Sequence, residues 1–200
     1  MATDLEIKQT YDAMRAICRE TSQLLTVIHD QFVKRRFRVV NSAIIWGTSA
    51  QYSEPDYWMP YFQQLVFVGH GEPDPKRGVG VNVMFDDPKL QNVIPFMSCG
   101  MATWSKGHPG KSNGLYDAGW NATEILVDFP LYTSRFAESK EEEPTEVINY
   151  FLPLTAISSE AKVSALIIQP LANMLAGDRA EAIRAIEDAA IPLEVIKGQA

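Results

Sequence analysis

The residues that could carry out acid–base, nucleophilic or metal chemistry are few and widely spaced in this chain of 200 residues. The three histidines, His29, His70 and His108, lie about forty residues apart, and no HxH, HxxxH or CxxC pair occurs. A metal site needs two to four ligands that converge, commonly from such short spacings. The sequence therefore predicts no metal ligand and no catalytic residue by motif.

A metal-dependent hydrolase or nucleotide-handling enzyme is the alternative hypothesis, and it would use the loops at 70–87 and 105–120. His70 and His108 fall in these loops, and one end of a sheet could bring them near four carboxylates, which are Glu72, Asp74, Asp86 and Asp87. Carboxylate oxygens suit Mg²⁺ or Mn²⁺. Asp and Glu at strand ends more often form turns, however, so the question of catalysis stays open and leans towards none.

Two short segments resemble pieces of active-site motifs without completing them. Residues 106–112 read KGHPGKS, like the second half of a phosphate-binding loop, but the Gly required at position 105 is Ser and a breaker-rich stretch follows where a helix should begin. Cys99 lacks the glycine elbow of a catalytic nucleophile and lies in an apolar run, which predicts a buried thiol. The 106–112 segment is predicted to be a surface loop.

Aromatic side chains crowd two loops and are the better candidates for binding a ligand. They can line an apolar pocket or an interface, or they can cover a small core of their own. With the two polar residues of the 106–112 segment, the candidate ligand-binding residues are Tyr57, Trp58, Trp104, His108, Lys111, Tyr116 and Trp120. The pattern indicates a small molecule in general terms, and the cofactor, if any, is unknown.

The elements that must position these loops begin with a long amphipathic helix over residues 1–36. Apolar or tolerated residues recur in alternating steps of four and three, as in the a and d positions of a coiled coil. Except for Thr21, the residues of this seam are the predicted interface: Ile7, Tyr11, Met14, Cys18, Leu25, Ile28 and Phe32. A helix of this length spans about 45 Å. It either lies across its own sheet or mediates a homodimer or contact with a partner protein.

The region after the helix alternates strands and turns. Strands are predicted at 36–46, 64–69, 79–85, 95–104 and 122–132, with a bulge at Gly100 and no crossover helices between the central strands. Residues 141–150 favour a short helix. Residues 158–176 favour a helix kinked at Pro170, with a strand over 163–169 as the alternative, and 179–189 favours a helix capped by Asp178.

This order predicts a single α+β domain over 1–200, with a long N-terminal helix (1–36), a mostly antiparallel sheet of four to six strands (37–135) and a helical C-terminal region (136–200). The layout resembles the architecture of PAS and GAF domains, which are sensory and ligand-binding domains. The resemblance lies in the architecture alone and implies no site residue.

Charge and cysteine content restrict the partners and the compartment. The net charge is −7, and only residues 1–40 are basic, with seven Lys or Arg against five Asp or Glu. The one basic cluster, Lys34, Arg35, Arg36 and Arg38, suits the negative end of the helix dipole, and the acidic total argues against nucleic acid. Two cysteines and the lack of any apolar run of about 18 residues predict a cytoplasmic protein that does not enter a membrane.

Three functional hypotheses follow in order of preference. The first is a non-catalytic regulatory module that binds a ligand or a protein and assembles through its N-terminal helix. The second is the hydrolase or nucleotide-handling enzyme, and the third is a structural subunit of a larger complex.

Overall fold

The computed structural model describes residues 3–39, 45–46, 62–71, 76–85, 95–104 and 144–191. Among these residues, helix α1 (Asp4–Lys34) comes first and is followed by six strands. The strands are β1 (Phe37–Val39), β2 (Ile45–Trp46), β3 (Phe62–Gly69), β4 (Arg77–Met84), β5 (Phe96–Trp104) and β6 (Pro144–Pro153). The strands are followed by helices, so the predicted α+β fold is confirmed.

The C-terminal helical region begins directly after β6. A 3₁₀ turn (Leu154–Ala156) leads to α2 (Glu160–Val163), a π-helical turn (Ser164–Ile168) and α3 (Gln169–Ala176), and the last three follow one another without a break. Helix α4 (Arg179–Ile186) starts after Gly177, which ends α3 in the left-handed conformation at φ 86°. The side chain of Asp178 accepts a hydrogen bond from the Glu181 amide, so the predicted cap of this helix is confirmed.

The sheet is antiparallel throughout its described pairs. Its order is β1-β3-β4-β5-β6, and β2 also pairs with β3. From β3 to β5, neighbours in the sheet are also successive described strands, and β6 follows β5 after residues 105–143, which lie outside the described part of the chain. At the β6 edge, the Ile191 amide donates a hydrogen bond of 2.8 Å to the Phe151 carbonyl.

The two faces of the sheet differ in what packs on them. The inner face joins the described helices in one hydrophobic core, and the outer face alternates with it along each strand. The inner-face residues are Leu65, Phe67, Val79, Val81, Val83, Met97, Cys99, Met101, Ile148, Tyr150 and Leu152. The outer-face residues include Val66, Gly78, Gly80, Asn82, Met84, Phe96, Ser98, Gly100, Ala102, Asn149 and Phe151.

The second half of α1 is anchored on this core by aromatic packing. The Phe32 ring is fully buried and stacks on Phe67 with 4.4 Å between ring centroids, while Phe37 meets it edge-on at 5.4 Å. Gln31 donates a hydrogen bond of 3.4 Å to the Glu160 carbonyl at the start of α2. These contacts fix the helix against both β1 and the C-terminal region.

The segment predicted as a short helix at 141–150 is part of strand β6, so this prediction was wrong. Ile148 and Tyr150 face the helices, whereas Phe151 is buried on the outer face at 1% exposure. A strand buried on both faces has a nearly continuous apolar run, whose periodicity does not distinguish it from a buried helix. The sheet therefore extends to Pro153, and the helical region begins at 154 instead of 136. The strand predicted at 122–132 lies outside the described residues.

The predicted bulge at Gly100 is also absent. Gly100 pairs regularly with Gly80 on one side and Asn149 on the other, and the register shifts between Thr103 and Trp104 instead. A Cβ atom at residue 100 would lie 2.6 Å from the Ile148 carbonyl oxygen and would collide with Oδ1 of Asn149. Glycine is required there because the Ile148 carbonyl and the Asn149 side chain both occupy the space that a Cβ atom would need.

Residues 160–176 are helical, and the strand alternative at 163–169 is excluded. Pro170 has no amide hydrogen, so it cannot bond to the carbonyl of Leu166 one turn earlier. The helix widens just before it, with the Gln169 amide donating to the Ser164 carbonyl five residues back. The Leu166 carbonyl accepts a hydrogen bond of 2.8 Å from the buried Tyr150 hydroxyl. A strand residue thus supplies the donor that proline lacks.

We expect Tyr150→Phe to destabilise the protein by about 1–3 kcal/mol, because a buried carbonyl loses its donor. Pro170→Ala restores an amide that can donate to the Leu166 carbonyl. Tyr150→Phe should therefore lower the free energy of unfolding by less in the Pro170→Ala background than in the wild type. Urea unfolding of the two single variants and the double variant measures this coupling. Additive effects of the two substitutions would show that the hydroxyl does not compensate for the proline.

Candidate functional site

Helix α1 has an exposed half and a buried half. In residues 4–20 every side chain is exposed or half-buried, including the large apolar residues Leu5 (63% exposed), Ile7 (47%), Tyr11 (57%) and Ile17 (50%). Met14 is half-buried and Cys18 is exposed. We call Ile7, Tyr11, Met14 and Cys18 the exposed seam. Four apolar or thiol side chains in a row on one helix face are a candidate interaction surface.

The exposed seam continues in register into the buried half of the same helix. Leu25, Ile28 and Phe32 have at most 4% exposure and belong to the hydrophobic core. These three predicted interface residues are therefore core residues of this chain. Thr21, the polar interruption, is also buried, and its hydroxyl donates to the Ile17 carbonyl at 2.8 Å. The second half of this seam is therefore buried in the hydrophobic core, and its first half is uncovered.

Local interactions hold the exposed half helical. Thr3 and Glu6 form a capping box in which the Thr3 amide donates to the Glu6 carboxylate at 2.7 Å and the Glu6 amide donates to the Thr3 hydroxyl at 3.3 Å. These bonds hold the pKa of the Glu6 carboxyl below its ordinary value, the backbone bond contributing most. A helical segment of this length without tertiary packing is marginal in water, so such capping matters here.

Charged side chains lie along one flank of the exposed seam. At about 100° per residue, Lys8 and Arg15 lie on this flank, and Asp12 lies on the same side of the helix. Asp12 forms ion pairs with both Lys8 and Arg15, the second at 3.8 Å. Six side chains here line a shallow depression on this one helix, namely Tyr11, Asp12, Met14, Arg15, Cys18 and Arg19. Its shape suits another protein chain better than an enclosed small molecule.

The residues predicted to bind a ligand fall almost entirely outside the described part of the chain. This holds for Tyr57, Trp58, His108, Lys111, Tyr116 and Trp120. Trp104 ends β5, where its backbone pairs with Pro144. The aromatic-loop site therefore stays a prediction.

The residues of the hydrolase hypothesis are described only in part. His70 is exposed in the turn after β3, and its amide donates a 2.7 Å hydrogen bond to the Arg36 carbonyl. Glu72, Asp74, Asp86 and Asp87 lie outside the described residues. Within the described ranges, no three His, Cys, Asp or Glu side chains lie close enough together to hold a metal ion. The hydrolase hypothesis therefore stays a prediction.

The basic cluster after α1 lies at a strained turn. Lys34, Arg35 and Arg36 are exposed, and Arg38 is half-buried in β1. Arg36 adopts a positive φ of 63°, which side chains with a Cβ atom rarely do. Its carbonyl is held by the His70 amide, so the turn connects α1 to the sheet and the cations at its surface are solvated.

Cys99 is a core residue and not a nucleophile. Its side chain is fully buried on the inner face opposite Tyr150, with which it interacts. Burial raises the pKa of the Cys99 thiol, and the nearby Tyr150 hydroxyl lowers it by less. Burial raises the pKa of the Tyr150 hydroxyl as well, and Cys99 adds to that shift. Both groups stay protonated in the folded protein, which excludes a reactive thiolate at this position. The sequence correctly predicts the burial of Cys99, although it gives no sign of the tyrosine partner.

Comparison with protein-family models, with curated proteins and with solved structures gave no match. Within the described residues, α1 and the other helices lack the combination of length and apolar character needed to cross a bilayer. The candidate site therefore rests on its own geometry, which points to the exposed seam of α1.

We expect folding stability to fall at high pH because of the buried Cys99 and Tyr150. The ordinary pKa values of these groups are 9.0 and 10.0, and both are raised in the folded state. Their contribution is complete below pH 9.0 and is lost as the pH rises, because the unfolded chain then releases protons that the folded chain retains. Each such proton steepens the loss by about 1.4 kcal/mol per pH unit.

Urea unfolding between neutral pH and pH 11 measures this slope, and Cys99→Ala is the comparison variant. Removing the thiol should make the slope shallower between the two ordinary pKa values. An unchanged slope in that interval would show that the Cys99 thiol ionises as easily in the folded chain as in the unfolded one.

Proposed function

We propose that this protein is a non-catalytic assembly module that forms a homodimer through the exposed seam of α1. The observation that carries the proposal is the continuity of one seam across a buried and an uncovered half of the same helix. A surface helix normally buries its apolar stripe, and here Ile7, Tyr11 and Cys18 do not reach their own core. A second copy offers a seam of the same length and composition.

Steric constraints favour an antiparallel pairing. A second helix lying parallel on the exposed seam would run into the first copy's core, because Leu25, Ile28 and Phe32 use the same helix face. In the antiparallel direction the second helix ends where this core begins. The layers of such a pair place Ile7 against Cys18 of the second copy and Tyr11 against Met14 of the second copy.

The expected affinity is modest. Complete burial of one apolar side chain contributes about 1.5–3 kcal/mol, and half of this for eight partly exposed side chains gives roughly 6–12 kcal/mol. Association itself costs about 4–15 kcal/mol. These values nearly offset each other, so the dimer should dissociate reversibly at concentrations on the order of micromolar or higher. A reversible dimer is compatible with a regulatory role.

We expect Tyr11→Glu to weaken the dimer at least about 30-fold, because it places a charge in the centre of the interface. Gln9→Glu makes the same change of charge on the outward side of the same helix and should leave the dimer intact. Sedimentation velocity across about 1–500 µM measures the dissociation constant of each variant. A strictly monomeric wild-type protein over this range, or equal effects of the two variants, would contradict a dimer built on this seam.

The direction of pairing has its own test, which uses the exposed Cys18. In the antiparallel dimer the two Cys18 residues are offset by eleven residues, or about 16 Å along the axis. In a parallel dimer they would face each other within disulfide distance. We expect no disulfide-linked dimer under mild oxidation of the wild-type protein, whereas a variant with Ile7→Cys should cross-link to Cys18. Efficient Cys18–Cys18 cross-linking in the wild type would contradict the antiparallel direction.

Charge supplies a second measurement of direction. Antiparallel pairing brings Lys8 beside Arg15 of the second copy, so added NaCl should strengthen the dimer by screening this repulsion. Lys8→Glu should strengthen it roughly 3- to 10-fold through two new ion pairs. Lys162→Glu, an equal change of charge at an exposed residue of α2, is the control and should have little effect. A dimer that weakens with salt, or with Lys8→Glu, would contradict the antiparallel direction.

A further inference from the structure

We propose that exposed cations at one end of the sheet bind a short acidic segment of a partner protein. The cations come from two separate turns of the chain, the turn from α1 into β1 and the turn from β3 into β4. They are Lys34, Arg35, Arg36, Lys76 and Arg77, and we call them the basic end. The basic end is distinct from the exposed seam, because Lys34 follows Tyr11 by 23 residues of α1, or about 35 Å along the helix axis.

The sheet brings the two turns together. The Arg36 carbonyl accepts a hydrogen bond of 2.7 Å from the His70 amide, so the first turn lies against the end of β3. Strand β4 begins at Arg77 and pairs with the other side of β3 in antiparallel register, so its start lies at the same end of the sheet. The starts of β1 and β4 are thus two strand spacings apart, about 10 Å. The sequence shows only the first turn as a cluster, because the second follows about forty residues later.

The basic end is accessible and carries an excess of positive charge. Its five side chains are all exposed. The ion pairs within the described part of the chain are made by other cations, which are Lys8, Arg15, His29 and Arg184. Two carboxylates of the second turn, Glu72 and Asp74, lie outside the described residues, and with both counted the five cations still leave an excess of three positive charges. This excess contrasts with the net charge of −7 of the whole chain.

Arg36 has a backbone conformation that its residue type does not favour. Its φ of 63° lies in the left-handed region, which glycine adopts without strain and arginine rarely adopts. Strained residues of this kind cluster at binding sites, where the side chain has a use that offsets the strain. Because the Arg36 side chain is exposed, that use lies outside the hydrophobic core.

The arrangement of the cations favours a short chain of carboxylates over other anions. Exposed cations on two turns suit several separate charges better than one compact anion, which needs a concave site. Three of the five are arginines, whose planar guanidinium groups can donate two parallel hydrogen bonds to a carboxylate. With the reach of its side chains the basic end covers about 20 Å, the length of roughly six extended residues.

The acidic surroundings limit the length of the ligand. Arg77 pairs with Thr103, and Thr103 pairs with Glu146 of β6, so an acidic residue occupies the same row only two strands away. A long polyanion such as a nucleic acid would extend beyond the basic end and meet the negative charge of the remaining chain. A segment of about six acidic residues stays within the basic end.

Hexaglutamate is the probe, and microscale thermophoresis of the fluorescently labelled full chain measures its binding. The protein is kept at about 100 nM, below the concentration at which the dimer should form. We expect a dissociation constant on the order of 100 µM at about 20 mM NaCl, and binding at least about tenfold weaker at about 200 mM NaCl, because exposed charges are screened. Hexaglutamine, which has the same length without charge, should not bind.

Variants of the two turns test whether both contribute. Arg35→Gln and Arg77→Gln should each weaken hexaglutamate roughly 2- to 5-fold, as expected for the loss of one exposed ion pair. Arg36→Gly should also weaken it, while keeping or raising the melting temperature because the left-handed strain is relieved. Arg15→Gln removes the same charge about 30 Å before the end of α1, so this control should leave binding unchanged.

The proposal is overturned if millimolar hexaglutamate does not bind at low salt, or if Arg35→Gln and Arg77→Gln bind it no more weakly than Arg15→Gln does. Tighter binding of hexathymidylate than of hexaglutamate would also overturn it, since the basic end would then favour nucleic-acid phosphates over carboxylates. Tyr11→Glu should not change hexaglutamate binding, and Arg77→Gln should not change the sedimentation of the dimer. The failure of one proposal is therefore distinguishable from the failure of the other.

Discussion

The stacking of Phe32 on Phe67 is the contact on which the rest of the architecture depends. Through it the last turns of α1 lie across β3, and the edge-on ring of Phe37 fixes the chain as it turns back into β1. Because α1 is a rigid rod of 31 residues that spans about 46 Å, fixing its C-terminal end also determines where its first half can go. That half must extend beyond the core, and its apolar seam is exposed as a consequence.

The sequence predicts the helix and its seam but not the point at which the seam leaves the core. Ile7, Tyr11, Met14 and Cys18 follow the same four-and-three spacing as Leu25, Ile28 and Phe32, although only the last three are buried. Periodicity records which face of a helix is apolar and carries no information about what covers it. Only the position of the sheet along the helix axis separates core from exposed surface, and that position is set by long-range contacts.

Long-range contacts, which no local pattern contains, also explain where the sequence prediction of secondary structure goes wrong. Strand β6 was taken for a helix because Ile148, Tyr150 and Phe151 are buried from two sides, which removes the alternation that marks a strand. Pro170 predicts a kinked helix, and the helix does continue through it, with the Tyr150 hydroxyl bonded to the carbonyl that the proline leaves free. This donor is 16 residues distant in sequence from Leu166, so no local pattern reveals it. Strands with one clear apolar alternation, such as β4, were predicted almost to the residue.

The two faces of the sheet differ in the residues they carry. The inner face packs against the described helices, and the buried Tyr150 hydroxyl on it donates to the Leu166 carbonyl. The outer face instead has an unpaired Asn82 oxygen and a glycine at position 80 that neither sterics nor backbone geometry requires among the described residues. Each feature lowers the stability of a central strand, and an alanine at position 80 would make only ordinary van der Waals contacts with the described residues.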